Sequence, residues 1–179
     1  MIDLDEIKHI KAFAFDVDGV LTDGSVVLFE SGEQVRTMNI KDGYAIQLAV
    51  KKGYGVAIIS GGSSDAIRKR FVGLGVSDIY LSASNKLDVL NGYLSSKPFS
   101  TENVLYMGDD IPDYQVMKNV GMPCCPNDAV FQVKEIAKYI SPLNGGSGCV
   151  RDAVEMVMKA QGTWFEPNAS DKSITEFLW

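Results

Sequence analysis

Short apolar runs punctuate the chain at Ala12–Phe15, Val56–Ile59, Ile79–Leu81 and Val104–Met107. They lack strict alternation and end in polar or glycine-rich residues, the pattern of strands buried on both faces of a parallel sheet. Longer segments with helical spacing lie between them. Tyr44, Ile46, Leu48, Ala49 and Val50 lead to a stop at Lys51-Lys52-Gly53, and Ile67, Phe71 and Leu74 precede Gly75. Leu87, Leu90 and Leu94 recur before Pro98, while Val116, Met117 and Val120 precede Gly121. Glycine or proline just past the last apolar position is a helix stop signal. This rhythm predicts an α/β fold: a Rossmann-like, open, mostly parallel sheet with helices on both faces.

One stretch departs from the rhythm. Val26–Phe29 and Gln34–Ile40 are strand-like pieces flanking Glu30-Ser31-Gly32-Glu33, which predicts a β-hairpin flap over about residues 25–40, just after the first strand. A helix is expected over Val150–Ala160. It is followed by an aromatic tail, about residues 163–179, with Trp164, Phe165, Phe177, Leu178 and Trp179 among polar residues. Such a tail is expected to pack, either on its own core or on another subunit.

Composition narrows the classes. A length of 179 residues, with 46% hydrophobic and 22% charged residues and a mean hydropathy of +0.02, fits one soluble globular domain spanning residues 1–179. The chain has 17 Lys+Arg against 23 Asp+Glu, a net charge of −6, and no basic run, so no nucleic-acid partner is expected. The three cysteines, Cys124, Cys125 and Cys149, have neither disulfide nor zinc spacing and read as buried thiols of a reducing compartment. His9 is the only histidine and lies far from any nucleophile signature, which sets aside Ser-His-Asp and Cys-His chemistry. The acidic start lacks a signal-peptide pattern, and no apolar run approaches the ~20 residues of a membrane span. The expectation is a cytoplasmic protein with no membrane partner.

The chemistry gathers at successive strand ends. The first expected strand delivers Asp16-Val17-Asp18-Gly19, with two carboxylates two residues apart, so that an extended chain points both to one side. The second ends in Ser60-Gly61-Gly62, a hydroxyl beside flexible backbone whose N–H groups suit phosphate oxygens. Lys86 follows the third, and the fourth ends in Gly108-Asp109-Asp110-Ile111-Pro112-Asp113. In open α/β sheets the ligand crevice lies outside the carboxyl ends of the strands. Several carboxylates near a phosphate dianion repel one another, which calls for a hard divalent cation, Mg2+, with oxygen ligands. Asp16 can then attack phosphorus, Ser60 and Lys86 can hold the phosphoryl oxygens, and Asp18 can move the protons.

Asp16-Val17-Asp18-Gly19-Val20, Ser60, Lys86 and Gly108-Asp109-Asp110 with Asp113 resemble the four motifs of the haloacid dehalogenase superfamily of phosphatases. The resemblance covers nearly the whole chain. It implies that Asp16 is nucleophile and metal ligand, that Asp18 is acid/base and a metal ligand through its carbonyl, and that Asp109 is a direct ligand. Ser60 and Lys86 would hold the phosphoryl group, with Gly61 beside them, and Asp110 and Asp113 would support the metal or Lys86. Thr22-Asp23-Gly24, Asn39-Ile40-Lys41-Asp42-Gly43, Ser84-Asn85-Lys86 and Gly148-Cys149-Val150-Arg151-Asp152 add a finer resemblance. They are similar to the 3-deoxy-D-manno-octulosonate 8-phosphate (KDO 8-phosphate) phosphatase family, and related KDN and sialic acid 9-phosphate phosphatases share much of the pattern. This implies that Asn39, Ile40, Lys41, Asp42, Gly43 and Arg70 contact a sugar acid. The sequence departs from the pattern at Gln47 and Gly62, where arginine often stands, which thins the cationic clamp expected on the sugar carboxylate.

The intervals where superfamily members often carry a cap domain hold only the hairpin and a short stretch, so a capless unit is expected. By resemblance it forms a homotetramer in which hairpins build a central barrel and a neighbour's tail partly covers each site. A receiver-like signalling domain also accepts phosphate on aspartate beside Mg2+, a hydroxyl and a lysine. Its phospho-accepting residue stands on a mid-sheet strand, however, and it lacks a late Asp-Asp motif.

Overall fold

The run Ala12–Phe15 forms the strand around which the other elements are arranged in a computed structural model that describes residues 4–165. In chain order the elements are α1 (Leu4–Lys8), β1 (Ala12–Phe15), β2 (Val27–Leu28), β3 (Gln34–Val35), α2 (Ile40–Lys51), β4 (Gly55–Ile59), α3 (Asp65–Gly73) and β5 (Asp78–Tyr80). There follow α4 (Lys86–Leu94), β6 (Val104–Met107), α5 (Tyr114–Met117), β7 (Met122–Cys125), α6 (Phe131–Ile136), β8 (Tyr139–Ile140) and α7 (Cys149–Ala160). Six strands make one parallel sheet in the order β5-β4-β1-β6-β7-β8, and β2 and β3 form a separate antiparallel hairpin.

Both faces of the sheet are covered. Phe13 and Phe15 of β1 face one core with Ile46 of α2, Phe71 of α3 and Val154 and Val157 of α7. Ala12 and Ala14 face the other, with Leu90 and Tyr93 of α4, Val116 of α5 and Val133 of α6. This two-sided burial is why the strands read as continuous apolar runs rather than alternating ones. Each fully buried Phe contributes about 1.5–3 kcal/mol, so the central strand is firmly held.

The hairpin is shorter than its sequence pattern suggests. Its second strand ends at Val35, and Ile40 opens α2 instead, because the Asn39 side chain accepts the Lys41 N–H at 2.8 Å and starts the helix. The strands β7 and β8 and the helix α6 extend the expected pattern. Met122-Pro123-Cys124-Cys125 has a proline and no β-branched residue, so its sequence carries little strand signal.

The first residues of the aromatic tail pack on the chain's own body. The buried Trp164 meets Tyr44 edge to face at 6.4 Å, and the Arg151 guanidinium lies 5.3 Å from its ring. The rest of that segment, residues 166–179, lies outside the described residues, as does its expected role as a lid. No helix among the described residues is long and apolar enough to cross a membrane.

Candidate active site

The strand order turns about β1, which has β4 on one side and β6 on the other, and a crevice opens there outside the strands' carboxyl ends. Asp16 follows β1 directly, Ser60 follows β4, Lys86 is the first residue of α4, and Asp109 comes after β6 across Gly108. Asp16, Asp18, Ser60, Gly61, Lys86, Asp109, Asp110 and Asp113 all line one open cleft of about 580 Å3. Residues from Asp16 to Asp113 are thus gathered at the ends of the strands and in the helix starts and turns that follow them.

Lys86 lies at the cleft's floor, buried, with Nζ 2.8 Å from Asp16 Oδ2 and 2.7 Å from Asp113 Oδ1. Burial opposes its charge, but Asp113 and Asp16 outweigh it and hold the ammonium above the ordinary lysine value. Its placement is local in origin: the Asn85 side chain caps α4 by accepting from the Leu87 and Asp88 N–H groups. Asp113, fully buried, also accepts from the Tyr106 hydroxyl at 2.7 Å through Oδ1 and from the Asp109 N–H at 3.3 Å through Oδ2. Tyr106 reads in sequence only as a core strand residue. Its hydroxyl nevertheless completes the support of Asp113, a role that shows only once β6 is set beside the turn that follows it.

Asp16, Asp109 and Asp113 each bring a carboxylate oxygen within 4.8 Å of the others. Burial first, then the charge of Asp113, pushes Asp16 up to about 7 in spite of Lys86. Burial, Asp113 and Asp110 push Asp109 up to about 7 as well. Asp109 Oδ1 is buried with no hydrogen-bond partner among the described residues. Both oxygens of Asp113 are engaged, and Asp16 accepts the Val17 N–H through Oδ1 and pairs with Lys86 through Oδ2, so the unpartnered oxygen of the three carboxylates is Asp109 Oδ1. Hard oxygen donors, mutual repulsion and an orphaned buried oxygen fit a divalent cation. Gly19 guards that space: its φ is +84°, and a Cβ there would overlap the Asp109 carboxylate.

Asp18 is turned differently. Its carboxylate is held by Arg36, from the foot of the hairpin, with Nε 2.6 Å from Oδ1 and a terminal nitrogen 3.1 Å from Oδ2. Arg36 has no motif in the sequence, since only the folding back of the hairpin brings it to the site. Ser60 is buried, and its Oγ accepts the Gly62 N–H at 3.2 Å. Asp110 is exposed and accepts from the Ile111 N–H, so it starts the turn carrying Asp113 while adding charge near Asp109.

The segment from Asn39 to Gly43 does not line this cleft. Asn39 caps α2, Ile40 is exposed, and Lys41 lines a separate cavity with Arg151. Asp42 points inward, 1% exposed, and its Oδ1 accepts the Arg151 N–H at 2.7 Å, which ties α2 to the start of α7. Burial pushes its carboxyl up to about 6 against the backbone N–H groups there. Gly43 backs directly onto Arg70, which lines a neighbouring groove.

Residues 72–151 match the model of the haloacid dehalogenase-like hydrolases. Over 155 residues the chain is 36% identical to 3-deoxy-D-manno-octulosonate 8-phosphate phosphatase KdsC of Escherichia coli K12, covering 87% of this chain and 82% of that protein. The chain belongs to that phosphatase family of haloacid dehalogenase-like hydrolases. Two solved members share its fold closely. The KDO 8-phosphate phosphatase of Moraxella catarrhalis, in complex with magnesium, phosphate and KDO, has a TM-score of 0.88 at 31% identity, covering 98% of this chain and 97% of that one. A probable YrbI family phosphatase from Pseudomonas syringae pv. phaseolica has a TM-score of 0.87 at 36% identity, covering 89% and 91%. The haloacid dehalogenase-like sheet is therefore the frame on which the cleft described above is built.

Proposed function

We propose that the protein is a Mg2+-dependent phosphomonoesterase acting on a 3-deoxy-2-ulosonic acid phosphate, with KDO 8-phosphate as the substrate. The observation that carries this reading is the pairing of Asp16 with Lys86 beside the orphaned oxygen of Asp109. Asp16 and Asp109 would hold the cation, with the carbonyl of Asp18 as the family pattern suggests. The bound cation supplies positive charge that offsets the phosphoryl oxygens and the crowded carboxylates.

Asp16 attacks phosphorus through a carboxylate oxygen, and the bond from phosphorus to the sugar oxygen breaks. Lys86 and Ser60 hold the phosphoryl oxygens while charge moves to the leaving oxygen. Asp18, protonated, gives its proton to that oxygen, and the free sugar acid departs. Asp18 then takes a proton from water, whose oxygen attacks the aspartyl-phosphate and releases phosphate and Asp16. Asp113 and Tyr106 keep Lys86 in place. Asp16 also follows a mid-sheet strand, so the late Asp109-Asp110 motif after β6 and the family membership are what favour this hydrolase over a receiver-like signalling domain.

The same reading makes the chain one capless domain, working in the cytoplasm as a homotetramer. Exposed Val27, Leu28 and Phe29 on the hairpin support self-association, and three buried free cysteines suit a reducing compartment. Light scattering should give four times the chain mass of 19.5 kDa. Phosphate release measured with Mg2+ should be fastest on KDO 8-phosphate among KDO 8-phosphate, KDN 9-phosphate, sialic acid 9-phosphate and hexose phosphates. Asp16→Asn should abolish it, and wild-type turnover by that variant would end the proposal.

A further inference from the structure

Arg36 stands between two cavities. Its side chain is 11% exposed and grips Asp18 as a fork, with one guanidinium nitrogen on each carboxylate oxygen. Beyond it a second cavity of about 750 Å3 runs between the hairpin and the start of α3, lined by both Arg36 and Arg70. The two spaces meet where Arg36, on the wall of the second, grips Asp18, on the wall of the first. Gly62 of the phosphoryl cleft faces the same pair: a Cβ there would stand 3.5 Å from Asp18 Oδ2, 3.6 Å from Ser60 Oγ and 3.7 Å from a terminal nitrogen of Arg36. Glu33 and Asp65 also line the second cavity and balance its two arginines. Attraction for an anion there comes from the guanidinium geometry and not from a broad positive field.

The grip on Asp18 is at odds with proton transfer. A carboxylate held at both oxygens by a charge-assisted fork is restrained from turning to a leaving oxygen. A substrate carrying its own carboxylate offers Arg36 a second partner of the same shape and charge. We propose that Arg36 exchanges partners on binding, passing from Asp18 to the carboxylate of the substrate in the hairpin–α3 cavity. The organic anion thereby anchors itself and frees Asp18 in the same movement. The inference rests on the phosphatase reading above and adds to it a residue that sets specificity for anionic sugars. A neutral sugar phosphate, having nothing to draw Arg36 away, leaves Asp18 restrained and is turned over slowly.

The test compares the wild type, Arg36→Ala and Arg36→Lys on KDO 8-phosphate and on a neutral hexose 6-phosphate, together with calorimetric binding of free KDO. For Arg36→Ala, KM for the sugar acid phosphate should rise about tenfold to a hundredfold, the range of a lost charge-assisted contact. Turnover of the hexose phosphate should rise severalfold, and KDO binding should weaken by at least tenfold. Arg36→Lys, which keeps the charge without the fork, should fall between. A parallel loss on both substrates would make Arg36 a structural strut and overturn the proposal, as would unchanged KDO binding. If the wild type releases phosphate from neither compound, the phosphatase reading fails separately, while the KDO-binding comparison still decides whether Arg36 recognises the carboxylate.

Discussion

At the scale of single residues, two positions show how the fold sets chemistry against stability. Asp42 is buried, and its carboxyl is pushed up to about 6, above the ordinary 3.8. Because the folded state takes up this proton more readily than the unfolded chain, the group's contribution is most favourable below about pH 4 and is lost as pH rises through about 6. The full cost above that window is about 3 kcal/mol. Asp42→Asn should therefore gain urea stability relative to the wild type at pH 7.5 but not at pH 4.5, and parallel pH profiles would contradict this. Gly19 is constrained for a different reason. A side chain there meets both an unfavourable positive φ and the Asp109 carboxylate. Gly19→Ala should leave the far-UV circular dichroism unchanged while Mg2+ binding, followed by calorimetry, weakens at least tenfold. The sequence identifies Asp16, Ser60, Lys86 and Asp109 as candidates because each closes or follows an apolar run. It offers no comparable sign for Arg36 or for the hydroxyl of Tyr106, whose roles depend on which turn lands beside them.

At the scale of elements, the termini of strands and helices position the site. Lys86 enters the cleft because it is the first residue of α4, and α4 starts there because Asn85 caps it. Asn85→Ala should cost about 1 kcal/mol of stability, typical for a lost cap. It should also raise KM for the phosphate substrate, since the lysine's backbone loses its anchor. Asn85→Asp, which can still cap, should restore both, and a stability loss without any kinetic change would separate the cap from the site. The hairpin shows the limit of local patterning. Residues 36 to 40 alternate well enough to read as strand, yet the Asn39 cap begins α2 at Ile40, and the chain between is free to bring Arg36 back onto Asp18. Strand β7 carries little signal in its sequence because buried central positions accept Met, Pro and Cys once neighbouring strands supply the ladder.

At the scale of the molecule, the acidic cleft leaves folding and metal binding linked. Burial and the charge of Asp113 act against both Asp16 and Asp109, and a bound cation relieves that cost only in the folded chain. Saturating Mg2+, at about a hundred times its dissociation constant, should add about 2.7 kcal/mol. For a chain of this length that is a rise of about 5–10 °C in Tm. EDTA should reverse the rise, and Asp109→Asn should abolish it. An equal shift in the variant would place the ion elsewhere.

The sequence by itself determined the class of fold, the strand ends that carry chemistry and the residue types waiting there. Two-sided burial, helix stops and acidic turns are all written in local order, and the physics that reads them acts over a few residues. Only the tertiary structure decided which of those groups meet. It left Asp109 with an unpartnered oxygen, locked Asp113 between Lys86 and Tyr106, turned Asp42 inward to α7 and set Arg36 against Asp18. Those outcomes depend on burial and on charges brought together from distant parts of the chain, which no periodicity along the sequence records.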